Sequence, residues 1–280
     1  MDNVAFSFIV LGGAYMAGFL GSLTGLGGGV VLTPLLTLFF HVDIKYAIGS
    51  SLVASIATSS GSAVAYVKEG ITNIKLGMFL EIATTLGAVL GAFLAVYISP
   101  HFIAVIFGLV LIFSALMSLK QHPVNENAFV PSTSDLARKL DLNSTYPQNG
   151  KQITYNVQHV MGGFSLMGVA GILSGLLGIG SGALKVLALD TVMNVPFKVS
   201  TTTSNFMIGV TAAASAVLYF QRGYIDPGLC MPVVLGVMGG ALTGSRILIT
   251  TGGNWIKILF TFLISLIALE MIYNGLTHKI

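Results

Sequence analysis

Glycine is densest at two places in this 280-residue chain, with hydroxyls following both and a lysine following one. The first is the run Gly25-Leu26-Gly27-Gly28-Gly29, and the second is Gly178-Ile179-Gly180-Ser181-Gly182. Glycine at this density cannot continue a helix, so the backbone is expected to unwind at both runs. A short apolar stretch follows each, at 30–40 and 183–193. A helix starting there offers free N–H groups and the positive end of its dipole, which suits an anion. Gly27, Gly28, Gly29, Gly180, Ser181 and Gly182 are therefore candidate substrate contacts. The plainer alternative is a glycine hinge for helix packing. No Gly-Lys-Ser/Thr follows either run, which argues against a nucleotide-binding loop.

Hydroxyls form the second cluster. Gly49-Ser50-Ser51 precedes Thr58-Ser59-Ser60, and Ser200-Thr201-Thr202-Thr203-Ser204-Asn205 precedes Thr211. Ser50, Ser51, Thr203, Ser204 and Asn205 can hydrogen-bond sulfonate or carboxylate oxygens without bringing a fixed charge. Such groups also serve as glue between membrane helices. Lys185 is the third signal, because it lies three residues into the second short stretch. A lysine at bilayer depth costs roughly 2.5–3.5 kcal/mol, so it needs a partner, a wet cavity or a route to the interface. Asp190 is one partner to consider, though a spacing of five is poor geometry on one helix. Glu81, Arg246 and Glu270 sit nearer segment ends, where long side chains reach water more easily. Of these, Glu81 is the candidate for proton coupling. His41, His101, His122, His159 and His278 fall at loops or segment ends without metal-ligand spacing, so neither a metal nor a cofactor is expected. No nucleophile and base stand together at depth, so the chain does not read as an enzyme.

The elements that must position these groups follow from composition. Apolar residues make up 54% of the chain and charged residues 8%, where a soluble protein carries about a quarter. Its solvent is lipid. The net charge of +3 is too small and scattered for nucleic acid, and Cys230 alone excludes a disulfide framework. Eight apolar stretches reach bilayer length: 4–23, 46–67, 76–98, 102–119, 157–177, 199–220, 229–249 and 255–273. The two 11-residue stretches reach about 16 Å, half the hydrocarbon core, and read as half-helices. The first stretch lacks the basic lead of a signal peptide and reads as a retained helix.

An offset of 153 residues aligns the second part of the chain on the first. It superposes Gly18 on Gly171, Gly25 on Gly178, Gly27 on Gly180, Gly29 on Gly182, Gly70 on Gly223, Gly87 on Gly240 and Gly91 on Gly244. Ser51 falls on Ser204, Thr58 on Thr211 and Tyr66 on Tyr219, whereas Lys185 falls on Leu32. The expected fold is an all-α polytopic membrane protein of two homologous halves. Each half holds about four spanning helices plus a glycine-broken half-helix, an organisation typical of transporters. Residues 1–120 form the first half, 121–155 a hydrophilic cytoplasmic linker, and 156–280 the second half. Ser134 can cap a short helix, but most of the linker reads as flexible and too short to fold. The positive-inside rule divides Lys and Arg eight against four if the half-helix leaves four crossings per half. A fifth crossing makes the halves inverted and the division nine against three. Both arrangements keep the linker in the cytoplasm.

These residues resemble the TauE/SafE family of sulfite exporters and sulfonate permeases. The resemblance rests on Gly25 to Gly29 with Pro34, on Ala47-Ile48-Gly49-Ser50-Ser51-Leu52, and on the segment 170–182. Thr203-Ser204-Asn205-Phe206 and Tyr219-Phe220-Gln221-Arg222-Gly223 complete it. It implies a multi-pass permease of the cytoplasmic membrane, with or without oligomerisation, that moves sulfite, sulfonates or sulfo-carboxylates without ATP. A passive anion channel and a permease for a non-sulfur organic anion share the same site features. Two departures stand out: Ser181 interrupts the second glycine triplet, and Leu187 replaces the proline found at Pro34. Replacing Gly28 or Ser181 with leucine is expected to abolish transport while membrane insertion stays intact. Normal substrate flux in both variants, measured in vesicles with matched protein levels, would remove these glycine runs from the site.

Overall fold

A computed structural model describes residues 3–24, 28–119, 134–148, 151–250 and 254–278. Before the linker, α1 (Asn3–Thr24), α3 (Ile44–Lys68), α4 (Ile74–Leu94) and α5 (Pro100–Leu119) are long helices. After it, so are α7 (Val160–Leu177), α9 (Phe197–Gln221), α10 (Pro227–Thr250) and α11 (Asn254–Leu276). All eight expected stretches are helical. Among the described residues α1, α4, α7, α9 and α10 are each long and apolar enough to cross a bilayer. Phe8, Met78, Leu86, Leu90, Leu235 and Leu266 point outward, where only lipid accepts them, and the chain is a multi-pass membrane protein.

The half-helices are as short as expected. α2 (Gly29–Pro34) widens into a π-helical turn at Leu35–Phe39, and α8 (Gly182–Leu187) does the same at Ala188–Val192. Pro34 lacks an N–H and interrupts the ladder, yet the same turn follows Leu187, so proline is not required for it. Every one of these bounds in the second half lies 153 residues beyond its counterpart in the first.

Close glycine seams fix the helix directions. Gly236, Gly240 and Gly244 press α10 against the carbonyls of Leu11, Tyr15 and Phe19, so α1 and α10 run in the same direction. Cys230 meets Ser50 near one end of α3, while Gly61 faces Leu242 near the other. α3 therefore shares that direction. The chain has to return between α1 and α3, and α2 is the return. Gly28 starts it beside Gly18, and Phe40 ends it against Gly13 and against Phe6, with ring centroids 5.8 Å apart. On the other side Gly87 and Gly91 meet the carbonyls of Gly168 and Ile172, and Gly171 and Gly175 meet those of Thr84 and Ala88. α4, α7 and α9 thus run together in the opposite direction. The half-helix completes a fifth passage, one of the two arrangements left open by the sequence.

The linker departs from expectation. Ser134 does cap a helix, accepting from the Ala137 N–H, and α6 (Asp135–Lys139) follows. Beyond it β1 (Ser144–Gln148) and β2 (Lys151–Tyr155) pair antiparallel, with Ser144 opposite Tyr155. This part of the linker is folded. Ala137, Leu142, Tyr146, Tyr155 and Val157 join Leu76, Leu80, Val160, Met193 and Met207 in one apolar core. A few well-placed apolar residues docking on a bundle suffice where an isolated hairpin would not.

Substituting Gly240 with leucine drives a side chain into the Tyr15 carbonyl, and should lower stability by about 3 kcal/mol. Gly12 has open space around it, so leucine there should change little. Thermal unfolding in detergent, with the two variants side by side, measures the difference.

Candidate functional site

The two returns meet in the interior. A Cβ added to Gly29 would stand 2.9 Å from the Gly178 carbonyl oxygen and 2.6 Å from Ser55 Oγ. The two glycine runs differ in why they need glycine. Gly178 and Gly180 adopt left-handed conformations, with φ of 69° and 66°, which glycine takes without penalty. Gly28 is helical, with φ −64° and ψ −25°. What it lacks is room, since an added Cβ would lie 3.0 Å from Val237 Cγ1. Ser181, at the position of Gly28 in the second half, is left-handed at φ 47°, an uncommon state for serine. Its side chain is 2% exposed and its Oγ has no hydrogen-bond partner, and Ser55 Oγ is likewise buried without one. Gly27 lies outside the described residues.

The hydroxyl clusters pack around these returns, and most of them bond to protein. Thr33 Oγ1 donates to Ser51 Oγ at 2.7 Å, Ser204 Oγ to the Gly182 carbonyl at 3.2 Å, and Cys230 Sγ to Ser50 Oγ at 3.4 Å. Thr203 Oγ1 accepts from the Asn73 N–H at 3.1 Å. Asn205 contributes its carbonyl, which accepts from Ser59 Oγ at 2.5 Å, while the same Ser59 oxygen accepts from Gly209 N–H at 3.0 Å. Asn205 and Gly209 are four apart, the pair that an ordinary helix joins directly. A hydroxyl from α3 thus bonds to both groups of one rung of the α9 ladder and ties the two helices together.

Lys185 is the centre of the charge. It is 0% exposed, and its Nζ donates to Thr211 Oγ1 at 2.5 Å. Thr211 Oγ1 donates in turn to Glu81 Oε1 at 2.6 Å. Glu81 is 7% exposed, also accepts from Thr85 Oγ1 at 3.2 Å, and keeps Oε2 buried without a partner. Two sequence expectations change here. Lys185 does not reach Asp190 and does not snorkel; it points across to α9 and α4. Glu81 does not reach water either, because α4 turns it inward, between α7 and α9. Thr211 is the residue that sequence reading left aside, although its match with Thr58 marked the position. Glu270 is exposed as expected, and the Arg246 side chain lies outside the described residues.

Two further features were not legible. Lys45 and Arg222 flank a depression lined by Tyr219 and Tyr224, with Lys45 Nζ 5.7 Å from the Tyr224 ring centre and Arg222 Cζ 5.9 Å from that of Phe93. Tyr219 closes its floor by donating to the Gly175 carbonyl at 3.2 Å, just ahead of the second return. His101 and His278 stack with ring centres 4.4 Å apart. At the opposite end the linker docks through Asn73, whose Nδ2 donates to the Leu142 carbonyl and to the Tyr155 hydroxyl, both at 2.9 Å. Burial pushes the Tyr155 phenol up from 10.0 to about 12. Its contribution to stability is present below pH 10 and is lost as pH rises toward 12.

The chain is a helical multi-pass protein with two interrupted returns in contact at Gly29 and Gly178, and with a buried Lys185–Thr211–Glu81 chain. The chain belongs to the sulfite exporter TauE/SafE family, whose model matches residues 10–271. It is 30% identical over 278 residues to the probable membrane transporter protein YunE of Bacillus subtilis (strain 168), covering 96% of this chain and 97% of that protein. It is 27% identical over 233 residues to the probable membrane transporter protein YdhB of the same organism, covering 83% and 86%. The probable membrane transporter protein MJ0441 of Methanocaldococcus jannaschii is 24% identical over 274 residues, 92% of each chain. No solved structure matches the chain. Family and relatives support a membrane transporter.

Ser59→Ala removes the hydroxyl that bonds to both the Asn205 carbonyl and the Gly209 N–H, at a loss of about 0.5–2 kcal/mol of stability. Faster amide exchange around Gly209, together with a small drop in Tm, is the expected result.

Proposed function

We propose that this transporter is a secondary permease for small sulfur-containing anions: sulfite, sulfonates or sulfo-carboxylates. Substrate binds near the membrane midplane, between the returns at Gly28-Gly29 and Gly180-Ser181-Gly182. The single observation that carries this reading is Lys185, a fully buried ammonium whose one direct side-chain bond is to a neutral hydroxyl. A buried cation so lightly held is matched to an incoming anion. The orphan Ser181 and Ser55 hydroxyls supply further donors, and the family description supports sulfur oxyanions as the class.

The architecture is read as two inverted halves, related by the offset of 153 and by the opposite directions of α1 and α7. Alternating access follows as one half rocks against the other around the returns. With five passages per half, nine Lys and Arg side chains lie on the linker side, and Lys45, Arg222 and Lys279 on the other. The linker is then cytoplasmic, both termini are external, and the membrane is the cytoplasmic one. The Lys45–Arg222 depression faces outward as a collecting mouth for anions, with Tyr219 shut beneath it.

Uptake by purified protein in proteoliposomes tests the reading, with sulfite, methanesulfonate and acetate compared. Saturable flux of the sulfur anions in preference to acetate is expected. Non-saturating flux would identify a channel, and equal use of acetate a general organic-anion permease. Lys185→Gln should raise the half-saturation concentration about ten- to a hundredfold, the worth of a hydrogen bond to a charged group.

A further inference from the structure

An anion arriving at Lys185 meets a charge balance that is already complete. Lys185 and Glu81 are both buried and joined through Thr211, at 2.5 Å and 2.6 Å, and together they sum to zero. Little else nearby can share the balance. α7 carries no titratable side chain, and the charged residues of α9, Lys198 and Arg222, are exposed at its ends. On α4 the other charged residue is Lys75, exposed and paired with Asp141. α5, which also packs near α8, brings only His101 at its start. Asp190 lies five residues past Lys185, half-buried and with interactions of its own.

We propose that Glu81 binds the coupling proton of an anion–proton symport, resting on the reading that Lys185 receives the substrate. When a monovalent anion takes the Lys185 ammonium in place of the Thr211 hydroxyl, the buried charge becomes −1. An uncompensated charge away from water is the costly state. One proton from the aqueous phase, taken up by the Glu81 carboxylate to give the carboxylic acid, returns the sum to zero. Lys185 keeps its proton throughout, and the anion keeps its charge. Thr211, freed from the ammonium, has an oxygen open to accept from the new O–H. Release on the far side reverses both steps, so one anion and one proton cross together and no net charge moves. Proton and anion each tighten the binding of the other, as linkage requires. Glu81 Oε2 is buried without a hydrogen-bond partner, so the protein leaves this carboxylate charge incompletely satisfied. The set of positions related by the 153-residue offset cannot bind a second proton, because Leu32, Thr58 and Val234 stand there.

The test uses the full-length protein in proteoliposomes with 2-hydroxyethanesulfonate as probe, an anion too weakly basic to carry a proton itself, and a pH-sensitive dye in the lumen. One proton per anion is expected, with no response to membrane potential. The half-saturation concentration should rise with pH, by at most about tenfold per unit for one coupled proton. In Glu81→Gln the proton flux and the pH dependence should both vanish, while exchange of internal for external anion persists. Anion flux without protons in the wild type, or an unchanged pH slope in Glu81→Gln, overturns the proposal but leaves the anion site standing. If Glu81→Gln fails to accumulate, the wild-type proton count decides alone. No flux of this probe, of sulfite or of acetate overturns the anion site and the proposal with it.

Discussion

Lipid offers no hydrogen bonds, and this one constraint organises the structure. Each backbone group that leaves a helix inside the bilayer must find its partner within the protein. The breaks at Gly28 and at 178–181 are tolerated only because eight long helices surround them. The hydroxyls nearby answer the same demand. Ser204 caps the Gly182 carbonyl, Thr203 takes the Asn73 N–H, and Ser59 bridges Asn205 and Gly209. What is left over then becomes informative. Ser55 and Ser181 are among the buried hydroxyls without a hydrogen-bond partner in the described residues, and Ser55 lies beside the contact of Gly29 with Gly178.

Close helix approach is the second consequence. Without a hydrophobic effect between helices in lipid, packing must come from shape. The glycine seams provide it by bringing α1 onto α10 and α4 onto α7. Each seam joins a helix before the linker to a helix after it, so neither part of the chain is a free-standing bundle. On the proposed rocking motion, movement slides along these glycine-lined faces.

Much of this was legible beforehand, and the reasons differ by element. The long helices were visible because bilayer thickness sets a length that composition alone reveals. The half-helices were visible because glycine density and an 11-residue apolar stretch leave few other outcomes. Ser134 was a local signal and held. The β-hairpin was not visible: its strands, Ser144–Gln148 and Lys151–Tyr155, are polar and short, and their order comes from docking Leu142 and Tyr155 on α4 and α7. The Lys185–Thr211–Glu81 chain was half visible. Lys185 stood out as a charge at depth and Glu81 as a proton-coupling candidate nearer a segment end, but their junction depends on α4, α8 and α9 converging, a tertiary fact with no linear signature. Lys45 and Arg222 escaped notice for the same reason, since each alone is an ordinary lysine or arginine at a helix end.

On the proposed reading of two inverted halves that carry an anion and a proton, the departures from symmetry carry the chemistry. A strictly duplicated protein would present matched faces to an anion from either half. Here the first half offers Leu32 beside a helical Gly28, and the second offers Lys185 beside a left-handed Ser181. Symmetry serves the motion, because two halves with equivalent packing can exchange roles at small energetic difference. Asymmetry serves recognition, because a single buried cation fixes one orientation and one charge for the substrate. Two lysines at the related positions would leave a net charge that one Glu81 could not neutralise, and two glutamates would repel the anion. One lysine, one glutamate and a threonine between them form the smallest set that holds the empty site neutral and still yields to an anion.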